Sequence, residues 1–107
     1  MSARMRRNIP MLKLLCGAKP SIVKAVLKGA SPDLIRALSE CSLNVLNGRI
    51  PLTQNQMQQL RRHKQAIRAL ANRKTTVKRR KQLLQKGGFL GALIKPILGV
   101  LGGLLSQ

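Results

Sequence analysis

Asp33 and Glu40 are the only acidic residues in this chain of 107, set against 21 Lys and Arg, which leaves a net charge of +19. No backbone arrangement can pair that many cations internally. Any fold must therefore hold most of them apart in solvent and gather the apolar residues elsewhere. Self-repulsion at this density opposes compaction, so stability is linked to whatever anion neutralises the folded chain. Nucleic acid and an anionic membrane are the two partners of that description. The apolar share, 44 %, is too high for a purely disordered basic tail. The length suits one small domain and excludes a multidomain enzyme.

Phe89 is the lone aromatic residue. Single-stranded nucleic-acid binders and RNA-recognition sheets stack bases on aromatic rings, so an RNA-packaging role fits the charge but not the side chains. Contact with a duplex backbone needs no rings. Cys16 and Cys41 are too few for a disulfide framework, and His63, the single histidine, cannot complete a zinc ligand set, so no metal or cofactor is expected. His63 stands among Arg61, Arg62 and Lys64 with no carboxylate near it, and only coexistence links it to Cys16 as a nucleophile and base. The chain reads as non-enzymatic. Behind the basic residues 1–7 the apolar stretch is too short for a secretory signal, which points to an intracellular protein.

From Met11 to Ala71 the apolar residues recur with a helical period, punctuated by Gly17, Gly29, Gly48 and Pro51. The pattern predicts an all-α protein whose centre is a small bundle of about four short helices over 11–71. A one- or two-turn helix covers 11–16. A second starts at Pro20 and ends at Gly29, with Ile22, Val23, Val26 and Leu27 on one side and Lys24 and Lys28 on the other. Ser31-Pro32-Asp33 is the clearest start signal: a hydroxyl for an orphan N–H, a proline where no donor is missed, and a carboxylate at the positive end of the helix dipole. Leu34, Ile35, Leu38, Cys41, Val45 and Leu46 follow at spacings of three and four, and Gly48 supplies a left-handed stop. Glu40 is expected to pair with Arg36 one turn earlier. The fourth helix opens with a capping box formed by Thr53 and Gln56 and carries a seam of Met57, Leu60, Ile67, Leu70 and Ala71.

Outside the bundle the composition predicts a loose basic arm over 1–10, a basic helix or linker over 72–86, and an apolar, glycine-rich tail over 87–107. Between Arg61 and Lys86 there are eleven Lys or Arg and no carboxylate. A mixed-charge helix would simply be a solvated face. Without acids to balance it locally, this stretch points to phosphate contact that is strong at low salt and reads little sequence. The candidate contacts are Arg61, Arg62, Lys64, Arg68, Arg73, Lys74, Lys78, Arg79, Arg80 and Lys81. Lys78 to Lys81 also fit a nuclear import signal.

As one helix, residues 89–105 would span about 25 Å, short of the roughly 30 Å hydrocarbon core, with Lys95 and Pro96 near the middle. Two readings stay open for this segment, with Phe89, Leu90, Leu93, Ile94, Ile97 and Leu98 as its contact residues. It inserts shallowly into a membrane beside the basic stretch, or it docks in a groove of a partner or of its own bundle. Its glycines weaken a helix in water, so it should order only on contact.

Lys78 to Lys86, then Gly87-Gly88-Phe89-Leu90, then Leu93-Ile94-Lys95-Pro96-Ile97, resembles the C-terminal half of the adenovirus precursor core protein called X or mu. The same order is similar to small basic virion proteins of adintoviruses and the related Polinton (Maverick) elements. The resemblance covers roughly residues 72–105. It implies a structural virion protein that neutralises packaged double-stranded DNA in the host nucleus, alongside capsid proteins. It also implies a maturation protease that cuts after a double glycine, mapping a processing site to Gly87 and Gly88, with Gln85 where that family has an aliphatic residue. The leading expectation is thus a sequence-independent DNA-binding and condensing protein. The alternative is a membrane-perturbing cationic protein acting on anionic bilayers.

Overall fold

The computed structural model describes the backbone of residues 2–105 and the side chains of these except 86, 87 and 101–105. Among the described residues there are eight helices and no strand: α1 (Ala3–Arg7), α2 (Ile9–Gly17), α3 (Pro20–Lys28), α4 (Pro32–Leu46), α5 (Gln54–Arg61), α6 (Lys64–Ala71), α7 (Val77–Gly87) and α8 (Leu90–Leu105). The all-α expectation holds. The plan of a four-helix bundle with an arm and a tail does not.

The start signals act as their chemistry dictates. Ser31 Oγ accepts the Leu34 N–H at 3.2 Å, and Gly48 turns the chain after α4 at φ +68. Thr53 Oγ1 accepts the Gln56 N–H at 3.2 Å while Gln56 Oε1 accepts the Thr53 N–H at 3.0 Å, closing the capping box. The helix that follows is divided in two. At Arg62 and His63 the backbone tightens, the His63 N–H bonding the Leu60 carbonyl at 3.0 Å. The imidazole then lies on Phe89, with centroids 5.2 Å apart and planes 27° from parallel. No glycine or proline marks this break; the stacking partner comes from 26 residues downstream.

The 1–10 segment is also corrected. Ser2 caps α1 by accepting the Met5 N–H at 3.2 Å, and Met5 is fully buried. Arg4 meets Asp33 at 3.3 Å and Glu40 at 3.0 Å, and Arg7 meets Asp33 at 3.2 Å. Glu40 therefore pairs with Arg4, not with Arg36, and it also accepts the Ser2 hydroxyl. Both carboxylates of the chain lie where α1 closes on α4, and they hold the arm there. Hydrogen bonds from Asn8 and Arg7, then the charge of Arg7 and the bond from Arg4, keep the Asp33 carboxyl below the ordinary carboxylate range.

The largest departure is α8. Phe89, Leu90, Leu93, Ile94 and Ile97 are all buried, the last three completely, and Leu98 is half-buried. The helix packs on α2, α4 and α5, so the segment expected as a tail forms the centre of the core. Each of those aliphatic side chains contributes roughly 1.5–3 kcal/mol on leaving water, which offsets the helix penalty of the glycines. Pro96 sits within the helix, itself buried, while Lys95 points to solvent. The radius of gyration, 12.7 Å, is that of a compact domain of about this length. Apolar residues 101–107 of the expected tail lie outside the described side chains.

Candidate nucleic-acid interface

The ten cations expected to meet phosphate fall on α5, α6, α7 and the turn before α7. Arg61, Arg62, Lys64 and Arg68 are exposed along α5 and α6. Arg73 and Lys74 are exposed on the 72–76 turn, which closes on itself: Asn72 Oδ1 accepts the Lys74 N–H at 3.0 Å and the Asn72 carbonyl accepts the Thr75 N–H at 3.1 Å. Thr76 Oγ1 then accepts the Arg79 N–H at 3.1 Å and starts α7. Because α6 and α7 pack on each other, the turn is held between two anchored helices. Arg61 and Lys64 edge an apolar cleft formed by Leu46, Leu52, Met57 and Ile67.

The tetrad Lys78 to Lys81 divides. Lys78 and Arg79 point to solvent. Arg80 is only 9 % exposed and donates through Nη2 to the Asn72 carbonyl at 2.8 Å, leaving Nε buried with no partner. Lys81 is half-buried, its Nζ 3.4 Å from the Lys28 carbonyl. Those carbonyls belong to the C-terminal ends of α6 and α3, the negative ends of two helix dipoles. Two of the four cations thus fasten α7 to its neighbours. The signal for Arg80 was in the spacing: Val77, Arg80 and Leu84 lie three and four apart and form the face that α7 turns inward.

On α3, Lys24 and Lys28 are exposed one turn apart, and α7 lies along that helix. Sequence reasoning put them on the polar side of the second helix but assigned them nothing, because the partner face is more than fifty residues away.

The remaining sequence candidates have structural surroundings. Gly88 ends α7 in the left-handed region at φ +63, and Phe89 behind it is buried, so the bond between them lies in a tight turn and not in an extended segment. Phe89, Leu90, Leu93, Ile94, Ile97 and Leu98 are occupied by intramolecular packing. His63 stands at the start of α6 without a side-chain capping bond, its ring stacked on Phe89. Cys41 is buried, and desolvation, with the nearby Glu40 charge second, pushes its thiol up to about 12; Cys16 is half-buried and free. Among the described residues no group of His, Cys, Asp and Glu could hold a metal ion, and no single helix is long and apolar enough to cross a membrane. No protein-family model, no curated protein and no solved structure matches this chain.

Proposed function

We propose that this protein binds and condenses double-stranded DNA without reading its sequence, as a structural component of a virion core. The observation that carries the reading is the distribution of charge. Both carboxylates are taken up by Arg4 and Arg7 at the α1–α4 end, while Arg61, Arg62, Lys64, Arg68, Arg73, Lys74, Lys78 and Arg79 stand in solvent with no acid on α5, α6 or α7. Such a surface gains from a polyanion chiefly by releasing the counterions the polyanion had condensed. The viral setting, with a host nucleus, capsid proteins and a maturation protease around it, comes from the resemblance of residues 72–105 alone. A capsid protein and such a protease encoded beside this chain would support it.

Titration of duplex DNA at several salt concentrations tests the binding. The logarithm of affinity should fall steeply and linearly with the logarithm of salt, by about 0.9 for each phosphate neutralised. A nearly flat line rejects the proposal. The membrane-perturbing alternative now requires the buried face of α8 to leave the core. Dye release from anionic vesicles, with the fold monitored by circular dichroism, separates the two. Release by the intact domain, without binding to duplex, would favour the alternative.

A further inference from the structure

Helices α3 and α7 lie side by side in opposite directions. Lys81 reaches the carbonyl of Lys28, while one turn back along α3 Lys24 faces the same groove as Gln85 and Gly88, one to two turns further along α7. Each helix brings lysine to this line. On α3 these are Lys24 and Lys28, spaced i, i+4; on α7 it is Lys81, with Gln85 one turn further along the groove. We propose that the α3–α7 groove is a phosphodiester-binding site, in which Lys24 and Lys28 on one side and Lys81 on the other straddle one strand of a DNA duplex. This rests on the DNA-binding reading above and adds α3 to the interface.

Three features favour a built site over a merely solvated surface. The groove is lined by Lys24, Ala25, Lys28, Gln85 and Gly88, without a carboxylate. The two acids of the chain are engaged at the α1–α4 end and cannot relieve the repulsion among these lysines. The Lys81 ammonium has three donors and gives one to the Lys28 carbonyl, which holds it at the groove with two donors still free. Like charges one turn apart on a helix, as at Lys24 and Lys28, destabilise the free protein. A row of phosphates laid beside them turns that repulsion into attraction, so Lys24 and Lys28 should oppose folding and favour binding at once. Lysines with a purely structural role would do the reverse.

The test compares Lys24→Gln/Lys28→Gln with Lys13→Gln/Lys95→Gln, which removes the same charge from exposed positions on α2 and α8. Each is titrated with a short mixed-sequence duplex over a range of salt and melted with and without that duplex. The groove pair should lower the salt slope by about 1.8, from two lost contacts at about 0.9 each, and the control pair by close to nothing. The groove pair should also melt higher than the parent when free and gain less from added duplex. If the parent binds duplex with a steep slope but the two pairs behave alike, the groove assignment is wrong and the DNA-binding reading stands. A flat slope for the parent overturns both. Loss of binding to phosphatidylserine vesicles by the groove pair, with duplex binding unchanged, assigns the groove to lipid headgroups and overturns the proposal.

Discussion

Helices α7 and α8 are neighbours in sequence, joined through Gly88, and they enter the same domain by opposite means. α8 is held by burial: Leu93, Ile94 and Ile97 have no exposure at all. α7 has Val77, Leu83 and Leu84 as its apolar residues, of which Leu84 alone is fully inside. It is placed as much by Arg80 and Lys81 reaching carbonyls of α6 and α3. The contrast teaches that a lysine-arginine cluster is not one functional unit. Within a single helical turn, direction decides whether a cation reaches a neighbouring helix or stands in solvent.

The strongest challenge to that contrast is at the centre of α8. Ile94→Ala should cost about 2–5 kcal/mol, the range for removing a buried aliphatic side chain without collapse of the cavity, read as a lower denaturation midpoint. For the same reason deletion of 89–107 should abolish cooperative unfolding. A truncated chain that still melts cooperatively would restore α8 to the status of a tail.

On α7 the next largest effect is expected at Arg80. Arg80→Ala removes the bond to the Asn72 carbonyl and should cost about 1.5–3 kcal/mol, the value of a hydrogen bond to a charged group, while changing the salt slope of DNA binding far less than its exposed neighbours do. A loss of slope equal to theirs, at unchanged stability, would return Arg80 to the interface. The joint between the helices comes third. Gly88 has open space where a Cβ would stand but a φ of +63, so Gly88→Ala should cost about 1–2 kcal/mol from backbone conformation alone. Lys78→Gln/Arg79→Gln should leave stability within about 0.5 kcal/mol yet reduce the slope by about 1.8.

The smallest effect lies outside both helices and serves as their control. Neither α7 nor α8 has a carboxylate, so acid should act first on α1. Asp33 has its carboxyl lowered from 3.8 by Asn8, Arg7 and Arg4. The stability it contributes is fully present above that ordinary value and disappears as the pH falls through the lower folded value. Asp33→Asn should therefore flatten the pH dependence of melting below about 3.8, the ordinary aspartate range. Persistence of the full dependence in that variant would mean that α1 is not held by this carboxylate.

How much was legible depends on how far away the partner of each residue sits. Ser31, Pro32, Gly48, Thr53 and Gln56 act on atoms within a few residues, and α3, α4 and the start of α5 are where their chemistry put them. Met57 and Leu46 had the right spacing for the seam but remain 41 % exposed, because periodicity assigns a face and not the element that covers it. At the break His63 stacks on Phe89, α1 docks through Asp33 and Glu40, and Lys81 reaches the end of α3. None of these contacts is local.

The amino-acid order by itself determined an all-helical chain, the capped starts of its helices and a net charge of +19, since these follow from backbone bonding within one turn and from composition. Tertiary structure alone decided that the apolar C-terminal segment is the core, that the N-terminal arm is pinned by both acids, and that Lys81 of α7 meets the end of α3 near Lys24 and Lys28. Burial and ion pairing depend on distances across the fold, and those are set only when all the helices have packed.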